Sequence, residues 1–291
     1  MELLQQLTNG LSLGSIYALI ALGYTMVYGI INLINFAHGD IYMIGAFVGI
    51  FCGSTLKLPL IPTLLLSMVA SGILGVLIEK IAYKPLRNSP RITLLITAIG
   101  VSLLLENGMV YLVGPDTKAF PKLLSTSVIN IGSLSIDTSK ALTLVVSIIL
   151  VILLQFIVFK TKIGKAMRAS SYDIEAASLM GINVNTTISA TFAIGSALAG
   201  AAGVLVSLAF NSVGPYMGVV PGLKAFIAAV LGGIGSIPGA LIGGILIGLT
   251  ETLTKAYIST TLSDAIVFGI LIIILLVKPS GILGKKSNEK V

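Results

Sequence analysis

Residues 3–37 read LLQQLTNGLSLGSIYALIALGYTMVYGIINLINFA, without one charged side chain. A helix needs about 20 apolar residues to cross a bilayer, so this stretch holds a span with residues to spare. The run is continuous. The strand of a membrane barrel would alternate lipid-facing and lumen-facing residues at every second position, and this one does not. Further uncharged runs follow at Leu58–Ile78, Ala141–Phe159, Thr186–Leu223 and Ala225–Thr250. The whole pattern predicts eight spans, near 7–29, 39–56, 60–79, 92–113, 141–159, 187–208, 239–258 and 260–278. A shorter apolar piece, 223–232, precedes the seventh.

Composition agrees. Of 291 residues 56% are hydrophobic and 10% charged, with 18 basic and 11 acidic side chains, a net charge of +7. A soluble domain carries about 25% charge, and so little charge could not clothe so much apolar surface in water. Low polarity also excludes disorder, and the single Cys52 excludes a disulfide-built scaffold. The expected architecture is one all-α polytopic membrane domain over 1–291. The start, Met1 to Gln6, lacks the basic segment and cleavage site of a signal peptide.

The basic residues set orientation. Lys80, Lys84, Arg87 and Arg91 form one cluster, Lys160, Lys162, Lys165 and Arg168 a second, and Lys278, Lys285, Lys286 and Lys290 a third. Cytoplasmic loops carry the excess of Lys and Arg, so these segments and the C-terminus are expected inside. The net charge is therefore read as topology, with no nucleic-acid partner. Between the second and third clusters the chain must cross an even number of times. The segment 222–258 must then return to the side it left, as a short helix, a break and a full helix. Gly232-Gly-Ile-Gly-Ser-Ile-Pro-Gly239 supplies the break. Irregular backbone survives at that depth only when buried in protein or lining a cavity. The N-terminus falls outside by the same counting.

Polar groups within spans are the natural functional candidates. Asn32, Asn35, His38 and Asp40 are the densest set. Asn32 and Asn35 would share a face if helical. His38 reads either as a hydrogen-bonded structural residue or as a functional one, and alone it cannot build a zinc site. Gly232, Gly233 and Gly235, with Asn32, Asn35 and His38, are expected to border a translocation route or gate. Glu106 faces either the bundle or the outer interface. Glu251 and Lys255 are spaced as an i, i+4 pair. Gly45, Gly49 and Gly53, with Gly10/Gly14, Gly239/Gly243 and Gly244/Gly248, allow close helix packing, inside one bundle, at a subunit interface or at a moving gate.

The sequence contains no G-x-x-x-x-G-K-[ST] to hold ATP, no metal-ligand spacing and no nucleophile–base arrangement, so no catalytic residue or cofactor is expected. The segment 164–182 places small apolar residues beside the polar Arg168, Asp173 and Glu175. This pattern suits a short amphipathic surface helix, lying either on membrane lipid or in a soluble partner.

Glu175-Ala176-Ala177-x-x-x-Gly181 resembles the EAA loop of ABC importer permeases, which sits in a cleft of the ATPase subunit. The distal Ile-x-Leu-Pro of that loop is absent here. The segments Asn9–Gly29, Ile34–Gly39, Arg168-Ala169 with Leu179–Ile182, Ala225–Gly239 and Pro279–Gly284 look like branched-chain amino acid ABC transporter permeases, the shorter of their two permease chains. The likeness runs from about residue 5 to 285. It implies a type II importer-like bundle in a prokaryotic cytoplasmic membrane, paired with a second related permease chain, two ABC ATPase subunits and an extracytoplasmic binding protein for leucine, isoleucine or valine. Arg168, Glu175, Ala176, Ala177 and Gly181 would then couple to the ATPase. Relatives that carry urea or other amino acids are the alternative within the family. A passive small-solute channel and a gradient-driven transporter are the alternatives outside it.

Overall fold

The computed structural model describes residues 2–31, 33–124, 128–131 and 134–284. Eleven α-helices are described: α1 (Glu2–Ile31), α2 (His38–Ile50), α3 (Leu60–Ile78), α4 (Arg91–Val113), α5 (Thr138–Lys160), α6 (Lys162–Tyr172), α7 (Ile174–Leu179), α8 (Val184–Phe210), α9 (Val219–Gly232), α10 (Ile237–Tyr257) and α11 (Leu262–Val277). A π-helical turn, Phe51–Thr55, extends α2. A second π turn, Glu79–Tyr83, and a 3₁₀ turn, Lys84–Leu86, extend α3. Two antiparallel strand pairs join Lys118–Ala119 (β1) to Ser212–Val213 (β4), and Val128–Ile131 (β2) to Leu134–Asp137 (β3).

Among the described residues, six helices are long and apolar enough to cross a membrane: α1, α3 with its extension, α4, α5, α8 and α10. Eight are expected from the sequence. The other two, α2 and α11, are 13 and 16 residues long, and the short piece ahead of α10 is the 14-residue α9. Helix α2 and its π-helical extension together cover His38–Thr55, against the expected 39–56; the α-helical part is short because the π turn begins at Phe51. The chain leaves α1 at Ile31 and turns back, and His38 begins the new helix against Gly23, well inside the bundle.

One end of the bundle, the upper face, carries β1, β4 and the start of α5. There Lys140 Nζ donates to Asn9 Oδ1 (3.0 Å), and Phe120 N–H donates to the Asn211 carbonyl (3.3 Å). The other end, the lower face, carries α6, α7, the turn between α9 and α10, and residues 278–284. There Ile282 and Leu283 N–H donate to the carbonyls of Leu231 (2.8 Å) and Gly232 (2.9 Å).

Helix α1 is the mostly buried axis, packed on α10, α8 and α9. The approaches are at backbone distance. A Cβ on Gly14 would lie 2.8 Å from the Ile245 Cα, and one on Gly244 would lie 2.5 Å from the Ala18 Cα. Gly45 meets the backbone of Gly200 across the α2–α8 contact, where Ser67 Oγ of α3 donates to the Gly45 carbonyl (2.8 Å) and the Gly200 carbonyl (3.1 Å). Gly49 and Gly53 meet Val204, Phe120 and Pro121. The glycine ladder of α2 is thus used for packing within the chain. Without a hydrophobic drive between lipid-bathed helices, such contacts act through dispersion and weak polar bonds. By contrast α4 is almost wholly exposed and touches the rest chiefly through α2 and the 79–83 turn.

Gly45→Ala is expected to destabilise the purified protein by about 1–3 kcal/mol, because the added methyl meets backbone rather than a movable side chain. Gly100→Ala on α4, with no atom within 4 Å, gains helix propensity of up to about 1 kcal/mol. Thermal unfolding in detergent should therefore move in opposite directions for the two variants.

Candidate functional site

The two short helices begin next to each other. A Cβ on Gly39 would sit 2.5 Å from the Gly218 carbonyl oxygen and 3.2 Å from the Gly222 Cα, so the first turns of α2 and α9 are in backbone contact inside the bundle. From this junction α2 runs to the upper face and α9 to the lower. Both ends present the positive pole of a helix dipole, and the segments that lead directly into them, 33–37 and 214–218, are irregular.

Aromatic rings seal the junction. The Tyr24 ring stands edge-on to His38 (centroids 4.9 Å) and to Phe226 (6.0 Å), and Phe36 lies 5.9 Å from Phe226. His38 is fully buried in the notch left by Gly23. Asn35 is buried, and its Oδ1 accepts from the Tyr83 hydroxyl (2.6 Å). Residues 33–35 are not helical, so the helical face expected for Asn32 and Asn35 does not form there. Asn32 itself lies outside the described residues. Asp40, also buried, lines a cavity of about 210 Å³ with Tyr24, Ser102, Glu106, Gly218 and Gly222. Glu106, open to two readings in the sequence, faces this cavity and the bundle.

Gly232, Gly233 and Gly235 lie at the other end of α9, so the structure does not bring them together with His38. Gly233 (φ +104°) and Gly235 (φ +91°) adopt backbone that L side chains rarely take. Gly233 backs onto Gly284 and Ser280 of the C-terminal segment, and Gly235 lies beside Gly29. Gly235 also lines a small cavity of about 80 Å³ with Gly29, Met167, Arg168 and Ser171. The α9–α10 turn therefore faces α6 across this cavity.

Helices α6 and α7 project from the lower face. The Thr161 side chain caps α6 by accepting from Gly164 N–H (3.1 Å), and Asp173 Oδ1 caps α7 by accepting from Ala176 N–H (2.9 Å). Gly181 ends α7 at φ +83°, the left-handed cap expected from its position. The Arg168 guanidinium lies 5.2 Å over the Phe159 ring. Glu175, Ala176 and Gly181 are exposed, while Ala177 packs inward against its own chain. The outward apolar surface comes instead from Leu179 (88% exposed) and Met180 (84%).

The chain matches the family described as "Branched-chain amino acid transport system / permease component" over residues 6–276. It belongs to that family. The high-affinity branched-chain amino acid transport system permease protein LivH of Salmonella typhimurium is 46% identical, over 99% of this chain and 97% of its own. The corresponding BraD of Pseudomonas aeruginosa is 43% identical, over 99% and 98%. Among solved structures, PsaBC from Streptococcus pneumoniae shares the fold, with TM-score 0.51, 15% identity, and 94% and 91% of the two chains covered.

Two polar clusters of the permease escape a sequence reading. In the upper half, Glu251 receives the Tyr17 hydroxyl (2.7 Å), Lys224 Nζ (2.8 Å) and Lys255 Nζ (2.5 Å), and Lys224 also bonds Asp264 Oδ1 (2.7 Å). The i, i+4 spacing reveals only the Lys255 pair. At the lower end of α3, the fully buried Glu79 pairs with Arg87 and accepts from Ser189 Oγ (2.6 Å), and Arg87 donates to Asn185 Oδ1 (2.7 Å). Only the opposite charges at 79 and 87 hinted at this tether between α3 and α8.

Arg87→Ala would leave the Glu79 carboxylate buried without its cation, a loss of about 3–5 kcal/mol. The purified variant should lose a large part of its thermal stability. Arg87→Lys, which keeps the charge, should recover some of it.

Proposed function

We propose that the chain is the transmembrane permease of an ABC importer that moves leucine, isoleucine and valine across a prokaryotic cytoplasmic membrane. ATP hydrolysis takes place in two partner ATPase subunits. A second related permease chain completes the pathway, and an extracytoplasmic binding protein delivers substrate. The observation that carries this reading is near-full-length identity to permeases named for that transport, in a chain whose α7 projects an apolar tip. The lower face, with its basic clusters and the C-terminal segment, is cytoplasmic by the positive-inside rule. The N-terminus is then on the outer side.

Coupling runs through packed elements as a rigid-body push. Closure of the ATPase pair moves α7, whose exposed Glu175, Ala176, Leu179 and Met180 seat in the ATPase. Asp173 is at once the C-cap of α6 and the N-cap of α7, so the two helices move as one lever. Met167 and Arg168 on α6 reach the pocket with Gly29 and Gly235. Displacement there acts on the lower end of α9. The opposite end of α9 abuts Gly39, so the push arrives at the junction of the two short helices, which with Asn35 and His38 borders the route. Asn32, three positions before Asn35 in the sequence, is assigned to the route with it, and Gly232, Gly233 and Gly235 are the joint at the base of the lever.

Reconstitution tests this. Proteoliposomes with all partner chains should show ATP-dependent uptake of branched-chain amino acids, and the permease alone should show none. Leu179→Asp with Met180→Asp should leave the permease in the membrane but detach the ATPase, cutting uptake by roughly a hundredfold, as loss of central apolar anchors does. Gly233→Val should abolish uptake with the complex assembled. Gradient-driven uptake by the isolated chain would refute the assignment, and normal uptake by the double Asp variant would refute the coupling role of α7.

A further inference from the structure

Above the junction a cavity of about 490 Å³ opens toward the upper face between α1, α2, α8, α9, α10 and α11. Lys224, Glu251 and Asp264 line it. Lys224 (3% exposed) and Glu251 (2%) are buried within the span, where ionised groups are costly and mark substrate paths. Packing alone does not call for them, because well-packed apolar residues of similar volume would hold the helices at least as well.

The network is neutral and unevenly satisfied. Both Glu251 oxygens are engaged, Oε1 by Lys224 and Lys255 and Oε2 by Tyr17. The Lys224 ammonium has three N–H donors; Glu251 and Asp264 take two of them. Asp264 stands on the first turn of α11 with its side chain 52% exposed. The Lys224–Asp264 bond is therefore the one that joins a buried cation to an open carboxylate, facing the cavity.

Resting on the function proposed above, we infer that this cavity is a transit site for the zwitterionic head of an α-amino acid. The substrate carboxylate accepts from Lys224, and the substrate ammonium donates to Asp264. The zwitterion replaces one ion pair by two, the net charge stays zero, and no counter-ion has to travel with it. Ile16, Val206 and Val220 line the same cavity and supply the apolar wall for a branched side chain. Glu251 acts as a positioning residue that fixes the Lys224 ammonium.

The test uses the assembled importer in nanodiscs with its binding protein, and leucine carrying a diazirine in its side chain as photoprobe. Crosslinks should fall on α1 and α9 around the cavity. Leucine should compete them away, whereas 3-methylbutylamine, which lacks the carboxylate, and 4-methylpentanoate, which lacks the ammonium, should not. Lys224→Met and Asp264→Asn should each lower labelling and uptake roughly tenfold or more, the effect of losing a hydrogen bond to a charged group, and Lys224→Arg should restore part of both. Crosslinks elsewhere, or wild-type labelling and uptake in both variants, would overturn the site. If Lys224→Met fails to assemble, Asp264→Asn decides alone, since its side chain is half in the open. Absence of ATP-driven leucine uptake by the wild type, with the cavity still labelled, would instead overturn the importer assignment and leave the site standing.

Discussion

Every backbone N–H and C=O inside a bilayer must find its partner in the protein, because there is no water to supply one. That requirement shapes the permease wherever its helices stop short. Unbroken α1 and α8 meet it trivially. The segments 33–37 and 214–218 cannot; the first is held by Tyr83 on Asn35 and by Phe226 against Phe36, the second by Gly218 against Gly39. The start of α9 is itself seated on Gly39. A membrane protein can bring two helix ends together at depth only if the surrounding helices come close enough to leave no room for lipid, and the glycines of α1, α2, α8 and α10 permit that approach.

Close packing also explains how the permease can be both tight and mobile. Glycine contacts such as Gly14 with Ile245, or Gly45 with Gly200, have little depth of interlocking side chains to resist sliding, but they tolerate no outward bulk. The polar bonds that cross them, Ser67 onto two carbonyls and Tyr83 onto Asn35, fix register at single points. Helix α4 stands outside this scheme, tied to the bundle mainly by its contacts with α2 and the 79–83 turn.

Much of this was legible in the sequence, through signals that are local or topological. Uncharged runs gave the helices. The parity of crossings between two basic clusters demanded that 222–258 double back, and it does, with its break between Gly232 and Gly239. Gly181 was readable as a cap because a left-handed residue after a short helix favours glycine. What was not legible depends on which distant residue comes to lie alongside. Lys224 pairs with Glu251, which is 27 positions away, and no periodicity announces that. The inward turn of Ala177 depends on how α6 and α7 lean against the bundle, so the small residues of the motif and the exposed tip at Leu179 and Met180 are different surfaces. The fit of His38 over Gly23 is likewise a match of one ring to one missing side chain on another helix.

The clasp of Ile282 and Leu283 on the last carbonyls of α9 has a consequence for how the molecule is made. A ribosome delivers α9 and α10 first, then α11, and only afterwards the residues that complete the end of α9. Until they emerge, Leu231 and Gly232 lack their strand-like partners and the turn at Gly233 has nothing behind it. The end of α9 is therefore closed only after α10 and α11 have been made, and a nascent chain that has delivered both still holds the turn at Gly233 open.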